Sequence, residues 1–219
     1  MADSNLAAYY RARAPEYEQV YYRDNPDRRR ELADEARLLR DIVRGKEVLD
    51  LACGSGYWAE VMSETARLIV GVDLAREMLS EACRKRYRSP VQFVVGDLYR
   101  PPVKPEAFDI ITLGFWFSHE PKQAYDRFLN QLRRLSRPGG QIWMIDNNLP
   151  AEGADREIVR TDEFGNTYKR RRLNNGQQYV ILKNYFSEDQ LREIFGGCFT
   201  INRVIYGQYY WSLLLTGVY

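Results

Sequence analysis

The sequence predicts an α/β fold in which a mostly parallel sheet is covered by helices on both faces. Three observations support this prediction. Short apolar runs alternate with amphipathic segments of helix length between residues 47 and 146. The runs LIVGV, FDIITLG and IWMI are almost wholly apolar, as expected of strands buried on both faces. Glycines and the SRPGG segment separate the runs, as turns between strands and helices do.

The N-terminal segment, residues 1–25, is predicted to form one or two short helices outside the sheet. It mixes tyrosines with charged residues, and Pro15 interrupts it. From Pro26 onwards, apolar residues at helical spacing predict a longer helix, with Asp24 or Asn25 as its N-cap.

From residue 47 the pattern predicts strands and helices in alternation. The predicted strands are 47–52, 68–73, 91–96, 108–114 and 141–146, and the predicted helices are 57–63, 76–87 and 122–135. Residues 151–186 interrupt this pattern and predict an inserted hairpin around 174–176. A capping box at Ser187 and Gln190 then predicts a helix, and two final runs predict an antiparallel pair of strands.

The length and composition limit the possible functions. A chain of 219 residues with 45% hydrophobic residues predicts a single domain over residues 1–219. The formal net charge of +2 argues against a nucleic-acid partner. No apolar run reaches the ~18 residues of a membrane span, and the N-terminus lacks a signal-peptide pattern, so we expect no membrane partner and a cytoplasmic location. The single histidine, His119, excludes the usual zinc sites.

Acidic residues end three predicted strands, and small residues follow the first. The stretch VLDLACGSGYW passes from a strand into a tight turn after Asp50, and Asp73 and Asp97 end the next two strands. The carboxyl ends of parallel strands form the crevice in which nucleotides bind. Gly54 and Gly56 allow the backbone to approach a ligand closely. Asp73 follows the turn by about 20 residues, where an acid can bind ribose hydroxyls.

The turn also fits the G-x-G-x-x-A pattern of dinucleotide-binding proteins, but three features argue against NAD(P) or FAD. Asp50 would place a carboxylate where a pyrophosphate must lie. Tyr57 and Trp58 crowd the start of the following helix, and Asp97 adds another acid at the same edge. Three acids instead suit a ligand with an ammonium group, a ribose diol and an exocyclic amine, and S-adenosylmethionine (SAM) carries all three.

With these three motifs in this order, the chain resembles the class I SAM-dependent methyltransferases over roughly residues 30–150 and the final strand pair. The resemblance implies a Rossmann-like, doubly wound sheet of seven strands with an antiparallel last strand, with S-adenosylhomocysteine (SAH) as product. It implies that Asp50 binds the amino group of SAM, Asp73 the ribose and Asp97 the adenine amine. The other implied cofactor-binding residues are Ala52, Cys53, Gly54, Gly56, Leu74, Met78, Gly96, Leu98, Gly114 and Phe115. Tyr10 and Tyr17 are expected to complete the cofactor site with Arg13 as a lid that keeps water from the sulfonium, and simple packing of the N-terminal helix is the alternative.

In this fold the tip of the fourth strand determines the acceptor chemistry. His119 lies there and is the candidate catalytic residue, either orienting the acceptor or removing its proton. No Asn or Asp followed by Pro-Pro-Tyr is present, which disfavours DNA bases as acceptors. Asp146 and Asn147 resemble half of the magnesium site of catechol-type O-methyltransferases, but Gly114 stands where the other carboxylate is expected, so no metal is predicted.

Three short patches, residues 9–17, residues 116–121 and residues 170–176 leading to Lys183, resemble the phosphonate O-methyltransferases of the dehydrophos pathway. This resemblance implies a small anionic acceptor, bound by Arg170, Arg171 and Lys183, and the predicted contacts also include Tyr22 and Trp116. Only one face of a strand through Arg170 and Arg171 can point at the site, and a solvated basic surface is the alternative. N-methylation of an amine and a catalytically silent SAM-binding protein remain alternatives, and the chain is expected to be a monomer or a homodimer.

Overall fold

A computed structural model describes residues 4–21, 24–150 and 158–217 and contains two β-sheets. The larger sheet has seven strands in the order β3-β2-β1-β4-β5-β10-β9, and the smaller has the order β6-β7-β8. The strands are β1 (Glu47–Leu51), β2 (Leu68–Asp73), β3 (Val91–Val95), β4 (Ile110–Gly114), β5 (Gln141–Asn147), β6 (Arg160–Thr161), β7 (Thr167–Arg172), β8 (Gln178–Leu182), β9 (Phe199–Tyr206) and β10 (Tyr210–Gly217).

Strands β1 to β5 run parallel, and β10 runs antiparallel to both of its neighbours, β5 and β9. The predicted fold, a mostly parallel sheet with an antiparallel last strand, is therefore confirmed. The strand order reverses direction between β1 and β4, and in such sheets the crevice at this point binds ligands. The motifs that follow β1, β2, β3 and β4 consequently meet at one edge of the sheet.

The described residues form six α-helices around the sheets: α1 (Ser4–Arg13), α2 (Pro26–Ile42), α3 (Tyr57–Ser63), α4 (Arg76–Ala82), α5 (Tyr125–Leu135) and α6 (Glu188–Gly196). A 3₁₀ segment, Ala14–Val20, follows α1 at the predicted break before Pro15. Asn25, rather than Asp24, caps α2 by accepting from the backbone of Arg28 at 2.9 Å. The predicted capping box of α6 is present.

Three boundaries differ from the prediction by two residues or more, and the ends of β1, β3 and β5 differ by one. Helix α4 ends at Ala82 instead of residue 87, because the chain continues in single turns and the hydroxyl of Tyr87 donates to the carbonyl of Ala82 at 2.8 Å. Strand β4 begins at Ile110, since Asp109 forms its hydrogen bonds with the backbone of Glu47 outside the ladder. Residues 122–124 form a 3₁₀ turn before α5.

The small sheet contains the predicted hairpin, extended by β6. In β7 the side chains of Lys169 and Arg171 point towards the protein, whereas Arg170 and Arg172 are exposed. Helix α1 packs against β8, and Leu6 and Tyr9 of the helix form an apolar cluster with Leu173 and Ile181 of the hairpin region. In the described ranges, no helix has the length and apolar character to cross a membrane.

Candidate functional site

Two cavities meet at the carboxyl edge of the large sheet. The first has a volume of about 300 Å³ and the second of about 560 Å³. Tyr10, Tyr17, Phe115 and His119 line both of them. A group bound in one cavity can therefore approach a group bound in the other only beside these four side chains.

The glycine turn after β1 and the end of β2 form one wall of the first cavity. Asp73 connects them, because its two carboxylate oxygens accept from the backbone N–H groups of Gly54 and Ala75, each at 2.8 Å. Burial nevertheless raises the pKa of Asp73 above its ordinary value. Asp97 accepts from the backbone of Tyr99 at 2.9 Å, as a turn-forming acid does, and also lines the cavity.

Most of the predicted cofactor-binding residues line this first cavity. They are Tyr10, Tyr17, Ala52, Gly54, Asp73, Leu74, Met78, Gly96, Asp97, Leu98, Gly114 and Phe115, and the predicted acceptor contact Trp116 lines it too.

Asp50, Cys53 and Gly56 lie behind this wall. One carboxylate oxygen of Asp50 accepts from Thr112 at 2.9 Å, and the other has no hydrogen-bond partner among the described residues. Burial raises the pKa of Asp50 to about 7. Cys53 is buried against Gly71, and burial raises the pKa of its thiol, so it is a packing residue. Gly56 has φ +78°, and a Cβ there would lie 2.5 Å from the hydroxyl of Tyr87.

The backbone at two strand ends is strained. Ala52 and Phe115, just after β1 and β4, have φ values of 53° and 60°, in a region that non-glycine residues seldom adopt. Such strain concentrates at functional sites. Gly114 must be small for another reason, since a Cβ there would lie 2.2 Å from the indole of Trp58.

The N-terminal segment covers the glycine turn. Glu18 accepts from the hydroxyl of Ser55 at 2.8 Å and forms an ion pair with Lys85. The ring of Tyr21 stacks on Tyr57 with 3.8 Å between centroids. Tyr10 and Tyr17 of this segment line both cavities, and its action as a lid stays a prediction.

His119 is buried between this segment and the hairpin. Its Nδ1 lies 2.6 Å from the carbonyl oxygen of Leu182, which can only accept, so Nδ1 carries the proton. Its Nε2 therefore accepts from the hydroxyl of Tyr10 at 2.7 Å. Burial, reinforced by the charge of Lys183, lowers the pKa of His119 to about 3. The imidazole is consequently neutral at physiological pH.

Lys183 forms a buried ion pair at the end of β5. Its Nζ lies 2.8 Å from Oδ1 of Asp146 and donates to the hydroxyl of Ser118 at 2.6 Å. The other oxygen of Asp146 accepts from the backbone N–H of Ser118 at 2.9 Å. Burial alone would raise the pKa of Asp146, but Lys183 holds it below its ordinary value. Lys183, predicted to bind the acceptor, thus lines the second cavity while already compensating Asp146.

Basic residues dominate the second cavity. All four basic residues of β7 line it: Lys169 is buried and Arg171 half-buried, whereas the side chains of Arg170 and Arg172 are exposed. Arg13 enters from α1, lies over the rings of Tyr9 and Tyr17 at 5.4 and 4.9 Å, and donates to the hydroxyl of Tyr9 at 2.6 Å. The predicted contact Tyr22 lies outside the described residues.

Several residues that line the two cavities were not predicted from the sequence. Tyr99 and Glu120 line the first cavity and hydrogen-bond to each other, and burial raises the pKa of Glu120 to about 7. Arg28 and Lys169 line the second. A local signal existed only for Lys169, from the strand parity that groups it with Arg171. The described residues contain no cluster of three or more His, Cys, Asp or Glu that could hold a metal.

Known proteins match this chain in sequence and in fold. Residues 48–140 match the family described as a methyltransferase domain. Demethylmenaquinone methyltransferase of Bacillus licheniformis is 30% identical over 122 residues, which are 53% of this chain and 51% of that protein. The chain therefore spans about half the length of the curated relatives that it matches.

Solved structures match over nearly the whole chain. A DhpI–SAM–HEP complex has a TM-score of 0.74 at 26% identity, covering 96% of this chain and 95% of that one. A DhpI–SAH complex has a TM-score of 0.73 at the same identity. The 1,6-didemethyltoxoflavin-N1-methyltransferase of Burkholderia thailandensis has a TM-score of 0.64 at 19% identity, covering 98% of this chain and 88% of that one, which is a likeness of fold alone.

Proposed function

We propose that the chain is a class I SAM-dependent methyltransferase, as its fold and its methyltransferase-domain match indicate, and that it methylates an oxygen of a small anionic acceptor, such as a phosphonate or a carboxylate, without a metal ion. One observation carries the proposal. A cavity lined by Asp73 and Asp97 meets a cavity rich in basic residues at His119.

The first cavity suits SAM, which when bound supplies an electrophilic methyl group on a sulfonium. Asp73 would bind the ribose hydroxyls and Asp97 the adenine amine, while Leu74 and Met78 provide apolar walls. Gly54 has φ +57°, and a Cβ there would lie 3.3 Å from Met78, inside the space that the ligand needs. Asp50, the predicted partner of the ammonium group, lies beneath the turn with one oxygen unpartnered among the described residues, but it does not line this cavity.

The second cavity suits an anion. Lys169, Arg171 and Arg13 bring positive charge and N–H donors to a site that also contains His119. An ionised phosphonate or carboxylate is already nucleophilic, so the protein needs only to orient it and to keep water out. The neutral His119 and the covering α1 fulfil those two requirements.

The arrangement also supports a reaction without a metal. The carboxylate of Asp146 is compensated by Lys183 at 2.8 Å and by the backbone of Ser118. A divalent cation at Asp146 would have to displace the ammonium group. Gly114 provides no second carboxylate, and Mg²⁺ needs several oxygen ligands.

The basic lining also distinguishes the proposal from N-methylation. An amine acceptor would favour free carboxylates near His119, but Asp146 is paired and Glu16 accepts from the backbone of Asn174 at 2.9 Å. The acceptor panel that follows also tests the alternative of a catalytically silent SAM-binding protein.

The test is an acceptor panel with SAM. Matched phosphonates, carboxylates and amines of equal chain length are incubated with the protein, and SAH and the methylated product are quantified by mass spectrometry. The expected product is a methyl ester. Methylation of the amines alone would establish N-methylation. Calorimetric binding of SAM without any turnover would favour the silent alternative.

Two neighbouring residues of β7 provide a matched pair of variants. Both line the second cavity, but Arg171→Met removes a half-buried cation, whereas Arg170→Met removes an exposed one. Loss of a charge-assisted hydrogen bond costs about 1.5–3 kcal/mol, so Arg171→Met should raise KM for the acceptor about tenfold or more. Arg170→Met should change it less than about twofold. Equal effects would reject the proposed orientation of the hairpin.

A further inference from the structure

The second cavity extends well beyond His119. Its far end is formed by residues from three elements: Arg28 of α2, Asn147 and Asn148 at the end of β5, and Gln208 and Tyr209 before β10. At about 560 Å³ the cavity is larger than the first, although one acid group at the junction would occupy only a small part of it. The far end therefore has room for another part of the acceptor.

Arg28 is held in a fixed position at this far end. Its Nε donates to the hydroxyl of Tyr210 at 2.7 Å, and its Nη2 donates to Oδ1 of Asn147 at 3.1 Å. Its guanidinium also lies 5.2 Å from the centre of the Tyr210 ring. These partners are all neutral, and no carboxylate in residues 4–21, 24–150 or 158–217 forms an ion pair with Arg28.

The neighbouring arginines of the same helix behave differently. Arg29 lies 3.9 Å from Asp24, and Arg30 lies 3.4 Å from Asp27, both on the exposed side of the helix. Arg28 instead turns towards the cavity in the first turn of α2, where a cation opposes the helix dipole. Stability of the helix therefore does not explain its position.

The acids around Arg28 are already engaged elsewhere. Glu31, one turn further along α2, accepts from the backbone N–H groups of Tyr209 and Tyr210 at 3.0 and 3.2 Å. Asp146 is paired with Lys183. The positive charge of Arg28 is thus left without an anionic partner from the described protein, in a preorganised geometry that suits a carboxylate or a phosphate-like group.

We infer that Arg28 forms a second anion-binding subsite, and that the acceptor is a small molecule with two acidic groups. One group lies beside His119 and is methylated, and the other binds to Arg28 at the far end of the cavity. This inference rests on the proposed function and narrows its substrate class from an acid to a bifunctional acid.

The test compares acids with one and two charged ends. Alkyl phosphonates are paired with ω-carboxyalkyl phosphonates over a series of chain lengths, and kcat/KM is measured for each. At one length, the two-acid compound should be preferred at least about tenfold, the value of one charge-assisted contact. Arg28→Gln should abolish that preference, so that the ratio of the two kcat/KM values falls to about one. Arg29→Gln, on the exposed side of the helix, should preserve the preference.

A binding measurement separates this inference from the proposed function. Protein loaded with SAH is titrated calorimetrically with the same pairs of compounds, and Arg28→Lys serves as a second variant that keeps the charge but changes the two fixed hydrogen bonds. Equal methylation of one-acid and two-acid compounds would overturn the inference and leave the proposed function intact. Absence of methylation, with equal binding by wild type and Arg28→Gln, would overturn both.

Discussion

The hydroxyl of Tyr10 donates to Nε2 of His119 at 2.7 Å, and this contact joins the N-terminal helix to the tip of the fourth strand. Because Nδ1 of His119 donates to the carbonyl of Leu182, the ring has a donor from the covering helix on one side and an acceptor from the hairpin on the other. His119 thus links both covering elements, helix α1 and the hairpin, to the end of strand β4. Proton removal by Nε2 would require Tyr10 to leave.

His119→Ala is expected to lower turnover about 10- to 100-fold, the size of effect that misplacement of reacting groups produces. The affinity for SAM should stay within about threefold of wild type, because the proposed adenine and ribose contacts, Asp97 and Asp73, lie elsewhere in the first cavity. Turnover is measured by SAH release and affinity by calorimetry. Turnover close to that of wild type would contradict a role for His119.

The rate should not follow the protonation of His119 between pH 5 and 8. Burial lowers the pKa of His119 to about 3, so the ring stays neutral throughout this interval. The measurement is kcat/KM against pH for wild type and His119→Ala in parallel. An inflection near pH 6.5 that is present only in the wild type would show that His119 titrates during the reaction.

Deletion of residues 1–22 is expected to abolish methyl transfer and to leave the large sheet folded. The deletion removes Tyr10 and Tyr17 from both cavities and Glu18 from Ser55. Circular dichroism checks the fold and SAH release checks activity. A narrower variant, Tyr10→Phe, controls for general damage. A truncated protein that keeps wild-type activity would rule out the lid.

The pair of Lys183 and Asp146 should behave as a buried charge pair. Lys183→Met leaves Asp146 buried and unpaired, which should lower the free energy of unfolding by about 3–5 kcal/mol. Lys183→Met combined with Asp146→Asn should recover part of that loss. The exposed pair of Arg192 and Glu188 is the control, and Arg192→Met should cost no more than about 1 kcal/mol. Denaturant unfolding of the three variants measures these differences. Equal losses of unfolding free energy from Lys183→Met and Arg192→Met would contradict the description of Lys183 and Asp146 as a buried charge pair.

Glu35 should make stability depend on pH. It is 3% exposed, one oxygen accepts from Ser212 at 2.9 Å, and the other has no partner among the described residues. Burial raises its pKa to about 7. Because the folded pKa exceeds the unfolded value of about 4.3, its contribution is present in full below pH 4 and is lost as the pH rises towards 7.

Glu35→Gln should therefore stabilise the protein at pH 8 by about 1–3 kcal/mol relative to wild type, and by less at pH 5. Chemical denaturation at the two pH values measures the difference. Glu193→Gln on the exposed face of α6 should change stability by less than about 0.5 kcal/mol at either pH. If Glu35→Gln changed the free energy of unfolding equally at both pH values, the raised pKa of the buried Glu35 carboxyl group would be contradicted.

Features that depend on the local sequence pattern, such as element boundaries and the glycine turn, could be predicted from the sequence. The ends of β2 and α3 agree with the prediction to the residue, and Asp73 and Gly54 lie together as the motif implied. The alternation of β7 predicted that only one pair of its basic residues could point inwards. Which pair it is depends on how β8, the partner strand of β7, packs against α1, and no spacing within β7 encodes that contact.

What could not be predicted depends on contacts between distant segments. Arg28 became a cavity residue because α2 lies beside β5 and β10, more than a hundred positions away in the chain. Lys183 was predicted to bind a ligand, and its ion pair with Asp146 appears only when the hairpin lies on the sheet. Asp50 was predicted to contact the cofactor, and its position behind the glycine turn follows from the depth of β1 in the sheet.

The placement of β10 between β5 and β9 affects how the chain reaches its native state. Within the large sheet, strand β9 pairs only with β10. The backbone N–H and C=O groups at the free edge of β5, and those of β9, therefore stay unpaired until β10, the last strand of the described chain, has docked. That docking also joins Glu35 to Ser212, 177 positions apart. Such non-local closure is slow and leaves an unpaired strand edge exposed meanwhile. Refolding should therefore end with one late, cooperative step, and aggregation should compete with it.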